Sequence, residues 1–278
     1  MTRDLWLEAH AYLRPLGDLS AHVDRAAASV ETLTARLPDW DDYRMDFQAG
    51  VPLLSSADAG VDLEPGGRMA VALLDRLSAD ASPEWLVTET RALLADLRRV
   101  PSPSHRIAEF LLGDDVDSPP FPGLLRYLAW TAMARYLRPL VNGFGAWRDE
   151  DRWLRRYCPT CGSLPAMAQL VGADPGRKRL LSCGCCGTRW QFKRTGCPFC
   201  ETDAQRLASV AIEEEPALRI DHCESCGGYL KTYDGQGNET LLLSDWSSLH
   251  LDLIAHDRGL KRLAASLYEF EPVEARKH

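Results

Sequence analysis

All nine cysteines of this 278-residue chain fall between Cys158 and Cys226. Eight of them form four Cys-x-x-Cys pairs: Cys158/Cys161, Cys183/Cys186, Cys197/Cys200 and Cys223/Cys226. Twenty-one residues separate the first two pairs, ten the second and third, and twenty-two the third and fourth. The window is therefore an internal duplication with an offset of 39–40 residues. The halves also agree outside the thiols. Tyr157-Cys-Pro matches Gly196-Cys-Pro, and the residues after Cys186 align with those after Cys226. One 69-residue window thus differs chemically from the rest, which argues against a uniform single domain.

The spacing explains why these pairs suit a metal ion. Two thiolates three residues apart can fill two vertices of a tetrahedron, and the turn between them aims backbone N–H groups at sulfur. The residue after the second cysteine often needs a positive φ, which glycine supplies at little cost. Gly162, Gly187 and Gly227 stand there in three knuckles, and Glu201 in the fourth. A second pair about twenty residues on completes a four-thiolate site. The candidate ligands are Cys158, Cys161, Cys183 and Cys186 for one ion, and Cys197, Cys200, Cys223 and Cys226 for the other. A cross-braced partition, joining pairs one with three and two with four, is the alternative. The duplication favours the simple one, because each repeat should be a complete unit. An all-thiolate tetrahedron accepts zinc or iron. Cys185 reads as a spare thiol, with exchange for Cys183 or reaction with a partner as its alternatives. His222 reads as a bystander.

Competing readings of the cysteines are weaker. Disulfides belong to oxidising compartments, and the N-terminal stretch lacks the apolar core of a secretory signal, being interrupted by Asp4, Glu8, His10 and Arg14. A thioredoxin-like site needs a βαβ setting, and iron–sulfur clusters usually gather three cysteines close together. No Walker loop, dinucleotide fingerprint, H-E-x-x-H or G-x-S-x-G accompanies the pairs, and four protein ligands leave no open position for catalysis. The chain is expected not to be an enzyme. No apolar run approaches the ~18 residues of a membrane span. A soluble, cytoplasmic protein without membrane contact is expected.

Charge is unevenly spread. The net charge is −8 overall, but residues 1–150 carry −8, residues 151–200 carry +7 and residues 201–278 carry −7. The basic block comprises Arg152, Arg155, Arg156, Arg177, Lys178, Arg179, Arg189, Lys193 and Arg194. These can balance the formal −2 of a tetrathiolate zinc site or pair with the acidic N-terminal domain. The alternative is a face for an acidic protein or nucleic acid, and the flanking acidic blocks weigh against nucleic acid.

The first 150 residues read as helical. Ser20 is a candidate cap for a helix through Val23, Ala27, Val30, Leu33 and Leu37, stopped by Pro38. Gly66 and Gly67 precede a second helix carrying Met69, Leu73, Leu74 and Leu77. Ser82-Pro83-Glu84 starts a third, through Trp85, Leu86, Leu93, Leu94 and Leu97. A short helix spans 104–112, and a long one runs from Pro122 to just before Pro139. Segment 38–65 has no period and is expected either to pack as a strap through Tyr43, Phe47, Val51 and Leu53 or to touch a partner. The cysteine window reads as small hairpins. Helical pattern returns after about residue 245, with one stripe at Leu249, Leu253 and Ile254 and another at Leu260, Leu263, Ala264 and Leu267.

In arrangement the chain resembles the formate dehydrogenase accessory protein FdhE family. The resemblance rests on Cys158-Pro-Thr-Cys161-Gly-Ser-Leu-Pro165, on Leu181-Ser-Cys183 through Trp190 and Arg194 to Cys200, and on Cys223 to Cys226 followed by Tyr229-Leu230-Lys231. It extends to Asp245-Trp-Ser-Ser-Leu249-His-Leu-Asp252 with Gly259, and upstream to Phe47-x-x-Gly50-x-Pro52-Leu53-Leu54. The resemblance implies an α+β chain: an all-helical N-terminal domain, two tandem rubredoxin-like (zinc-ribbon-like) metal modules and a C-terminal helix. The expected boundaries are 1–150, 151–195, 196–244 and 245–278. It also implies a cytoplasmic maturation factor for a molybdenum- or tungsten-dependent formate dehydrogenase. Such a factor binds the catalytic subunit and holds two ions, iron by family expectation or zinc, through the eight named cysteines. A nucleic-acid-binding zinc ribbon and a rubredoxin-like electron carrier are the alternatives. The sequence leaves the oligomeric state open.

Overall fold

The computed structural model describes residues 1–81, 83–113, 118–173, 176–202 and 206–269. The chain divides into two units, each assembled from discontinuous segments.

One unit comprises Leu19–Asp39, Gly60–Ala146 and the chain from Leu267. Its helices are α2 (Arg14–Ser29, which enters from the other unit), α4 (Glu64–Ser78), α5 (Glu84–Leu97), α6 (Pro103–Leu112) and α7 (Pro122–Trp147). The expected apolar stripes form its core: Leu73, Leu74, Leu77, Leu93, Leu97, Leu128 and Leu137 are all buried. Ser82, the proposed cap of α5, lies outside the described residues.

Four helix boundaries differ from expectation. Ser20 is not a cap, because α2 already starts at Arg14-Pro15, where proline fits the first turn. The same helix ends at Ser29 rather than Pro38. Beyond it, the Leu33 N–H donates to Met69 Sδ at 3.4 Å and the Ala35 N–H to the Tyr136 carbonyl at 3.0 Å, drawing the chain off the helical path. Gly66 and Gly67 lie inside α4, not before it. A Cβ on Gly67 would stand 2.2 Å from the Ser104 carbonyl oxygen of α6, so glycine there permits contact of helix on helix. Likewise α7 runs through Pro139 instead of stopping before it. Burial of Leu137, Leu140 and Phe144 on both sides of the proline offsets the lost N–H.

The other unit comprises Met1–Asp18, Trp40–Ala59 and Trp147–Ser266. It holds α1 (Arg3–Ala9), α3 (Trp40–Ala49), seven strands and the closing helices. The strands are β1 (Met167–Val171), β2 (Lys178–Ser182), β3 (Arg189–Phe192), β4 (Leu207–Ala211), β5 (Leu218–Cys223), β6 (Gly228–Asp234) and β7 (Lys261–Arg262). Among the described residues they form one sheet in the order β3-β2-β1-β6-β5-β4, with β7 also paired to β6. Each repeat is an antiparallel meander of three strands, as the hairpin texture predicts. The meanders join through a parallel pair, β1 on β6, with Met167 opposite Lys231. That pair joins the first strand of one repeat to the last strand of the other.

The strap reading of segment 38–65 holds for Trp40–Ala59, which belongs to this unit. Tyr43 and Phe47 of α3 are buried, and Phe47 stacks on Trp153 with ring centroids 5.3 Å apart. At the C-terminal end, α8 (Glu239–Leu242) and a short 3₁₀ turn precede α9 (Leu249–Asp257). The expected stripe of α9 is displaced: His250, Leu251 and Ala255 face inward, while Leu253 is exposed. The second expected stripe, at Leu260, Leu263, Ala264 and Leu267, is not helical. Gly259, at φ +71°, ends α9 in a paired turn: its N–H bonds His256 O at 2.8 Å and Leu260 N–H bonds Ala255 O at 3.0 Å. The chain then becomes β7.

A buried ion network holds this end to the sheet. Lys231 Nζ lies 2.6 Å from Asp245 and 2.9 Å from Asp252, and Arg262 bonds both carboxylates. Burial alone would raise the Asp245 carboxyl, but Lys231 and Arg262 hold it well below the usual carboxylate range.

Candidate metal centres

The knuckles repeat a backbone pattern, each bond type recurring in three of the four. Gly162, Glu201 and Gly227 N–H groups each return to the carbonyl of the first cysteine of their pair, at 2.8–3.0 Å. The Cys158 N–H donates to Ser163 O, Cys183 to Thr188 O and Cys197 to Thr202 O, at 2.8–2.9 Å. The turns aim amides at sulfur: Cys185 N–H at Cys183 Sγ, Phe199 at Cys197 and Gly228 at Cys226, each at 3.4 Å. All four positions after the second cysteine have positive φ: Gly162 +79°, Gly187 +76°, Gly227 +70° and Glu201 +61°. The loop geometry is therefore kept at Glu201 even where glycine is not.

The sulfurs gather into two groups, Cys158/Cys161/Cys183/Cys186 and Cys197/Cys200/Cys223/Cys226, each within 4.8 Å. This is the simple partition, one group per repeat. Neighbouring sulfurs are 3.5 Å apart for Cys158–Cys186 and Cys161–Cys183. They are 3.8 Å apart for Cys197–Cys226 and 3.7 Å for Cys200–Cys223. A tetrahedron with metal–sulfur bonds of about 2.3 Å has edges of about 3.8 Å. The cysteines are free of disulfides. Two four-cysteine clusters able to hold two metal ions are thus present.

Thiol hydrogen bonds from Cys158, Cys183 and Cys186 hold Cys161 well below its ordinary value. In the second cluster burial disfavours the Cys223 thiolate, but the N–H groups of Cys226 and Ser225 outweigh it and bring the group to about 7. Burial pushes Cys197 up to about 12.

The centres differ in cover. All four sulfur-bearing residues of the first are buried, whereas Cys200 is exposed and Cys226 half-buried in the second. The strap closes the first: Leu53 N–H donates to Pro159 O and Leu54 N–H to Thr160 O, both at 2.9 Å. Cys185 lies outside both groups, with its sulfur 3.6 Å from Ser163 Oγ. His222 also stays outside them. It lines a cavity of about 120 Å³ beside the second centre, with Arg179, Arg219 and Asp221.

Most of the basic block is engaged within this unit. Arg152 pairs with Asp149, Arg177 with Asp234, and Arg155 donates to Ala49 O at 3.0 Å. Arg156 donates to Phe199 O, Arg179 to Lys193 O and Gly196 O, and Arg189 to Gln169. These arginines tie knuckles and strands together. The fold also brings together His10, Glu215 and His250, and the Lys231 network; neither has a short-range spacing in the sequence to reveal it.

A chain with an N-terminal helical part and two four-cysteine clusters on one mixed sheet defines a two-centre metal-binding protein of α+β class. No protein-family model matches it. Protein FdhE of Escherichia coli O1:K1 is 30% identical over 145 residues, covering 51% of this chain and 47% of that protein. Protein FdhE of Shigella boydii serotype 18 matches to the same extent. The chain spans about half the length of the curated relatives it matches. The crystal structure of the FdhE protein from Pseudomonas aeruginosa matches in fold, with a TM-score of 0.59 at 24% identity over 96% of each chain. Together these relatives support the FdhE family. Among the described residues no helix is long and apolar enough to cross a membrane.

Proposed function

We propose that this protein is a cytoplasmic accessory factor in the maturation of a molybdenum- or tungsten-dependent formate dehydrogenase. It binds the immature catalytic subunit and performs no catalysis of its own. The observation that carries the reading is the pair of four-cysteine clusters on a fold shared with an FdhE protein. Cys158, Cys161, Cys183 and Cys186 hold one ion and Cys197, Cys200, Cys223 and Cys226 the other. Residues 151–195 and 196–244 are the metal-dependent folding units, between a helical region at 1–150 and the segment 245–278. Iron is the ion the family resemblance favours. Bound there, it would supply one-electron chemistry, for which the exposed Cys200 gives the second centre an opening.

The test is co-purification of the tagged chain with the catalytic subunit, alongside formate dehydrogenase activity in a deletion strain. Capture of the subunit and loss of activity are expected. Absence of capture together with normal activity would overturn the proposal. A nucleic-acid reading gains no support, because the arginines it would need are spent inside the unit.

A further inference from the structure

His10, just past α1, Glu215, in the turn between β4 and β5, and His250, in the first turn of α9, place their donor atoms within 4.8 Å of one another. All three belong to the unit that carries the cysteines. Both histidines are less than 10% exposed. His10 Nε2 lies 2.8 Å from Glu215 Oε1. His250 Nε2 lies 3.0 Å from both oxygens of the same carboxylate.

Proton accounting makes the cluster unusual. His10 Nδ1 faces the Trp6 carbonyl at 2.9 Å and so carries a hydrogen. In the neutral ring Nε2 then offers only a lone pair, and a carboxylate oxygen faces it. Two acceptors at that distance need a proton or a metal ion between them. Burial alone would raise the Glu215 carboxyl, but its bonds to His250 and His10 hold it below the usual range. With protons alone, one buried proton must lie between His10 Nε2 and Glu215 Oε1. His250 must then spend one N–H on two oxygens, and its Nδ1 is buried with no partner among the described residues.

The surroundings fix the His10 ring as a metal-binding imidazole is fixed. A carbonyl on the far ring nitrogen sets the His10 tautomer. Trp6 stacks on His10 at 3.8 Å between centroids, and Tyr12 meets the two imidazoles edge-on at 5.9 and 6.0 Å. Two imidazoles and one carboxylate suit zinc or ferrous iron and not the all-oxygen preference of calcium or magnesium. Tetrahedral donors about 2.0–2.1 Å from an ion stand about 3.4 Å apart, so loading lengthens both histidine–Glu215 separations by about half an ångström.

We propose that His10, Glu215 and His250 form a third metal site, distinct from the cysteine clusters, which takes a divalent transition-metal ion of the zinc or ferrous class and leaves a coordination position open. It does not depend on the formate dehydrogenase reading. The experiment is a cobalt(II) titration of the full chain after zinc loading and treatment with a mild chelator until metal analysis shows two zinc ions per chain, held by the tetrathiolate clusters. One further equivalent is expected, with weak visible ligand-field bands and no thiolate-to-cobalt charge transfer. His250→Gln and Glu215→Gln should lose it, weakening binding beyond the about 10–100-fold typical of a lost outer partner, while keeping the zinc content. Glu215→Gln preserves side-chain volume and decides the matter if His250→Gln does not fold. The proposal is overturned by no further equivalent in the natural sequence, by equal uptake in the folded variants, or by thiolate charge transfer accompanying that equivalent.

Discussion

The two cysteine clusters are copies of one sequence unit, yet they occupy different surroundings. The first is sealed by the segment around Leu53 and Leu54 and its sulfurs are buried; the second leaves Cys200 exposed. The knuckle turns are alike, including the left-handed residue after each pair. Duplication thus preserved the local chemistry, and segments remote in sequence set the difference. The first copy is held by the strap from before the window, and the second is held through β6 by the Lys231–Asp245–Arg262 network from after it.

The largest effect should come from removing a sulfur. Cys158→Ser is expected to lose one metal equivalent and unfold the first module, since a structural tetrathiolate site contributes on the order of 10 kcal/mol. Helicity of α4 to α7 should survive. Metal analysis with circular dichroism checks this, and unchanged metal content with unchanged melting would refute it. Within the same comparison, a chelator should strip the second centre faster than the first, read as two phases of metal release. Equal rates would show that exposure of Cys200 does not govern access.

Next come the two anchors. Asp245→Asn leaves Lys231 buried without its nearest carboxylate and should cost about 3–5 kcal/mol in chemical denaturation. The folded carboxyl is depressed, so its contribution is full above the ordinary carboxylate pKa of about 3.9 and is lost as pH falls through the folded value. The variant should therefore show a flatter loss of stability on acidification. Leu53→Ala, at a fully buried strap position, should cost about 2–5 kcal/mol and bring metal release from the first centre closer to that of the second. Release rates that do not converge would mean the strap does not shield the site.

The smallest effect separates the knuckles themselves. Glu201 alone among the four holds its positive φ without being glycine. Glu201→Gly should stabilise the second module by about 1 kcal/mol, seen as a raised melting temperature. Destabilisation would show that the Glu201 side chain contributes more than its backbone costs.

Legibility in the sequence followed range. The knuckles are local, so their spacing revealed the turns, the φ requirement and the grouping of sulfurs by repeat. The helical stripes were visible too, but their ends were not. Pro139 and the Gly66-Gly67 pair looked like punctuation, whereas burial and the close approach of α6 keep them inside helices. At α9 the leucines misled, because a histidine takes the inward face and leaves Leu253 exposed. His10 and Glu215 are 205 residues apart, and no periodicity links such positions. The same holds for the parallel pairing of β1 with β6, which no hairpin rule suggests.

That pairing has a consequence for the order of events during synthesis. β1 is made more than sixty residues before β6, so its inner edge stays open until the last strand of the second repeat has left the ribosome. The first module can load its ion early, yet the sheet closes only afterwards. An unpaired strand edge invites wrong partners in that interval. The newborn chain thus faces a timing problem at the very strand that later joins its two halves.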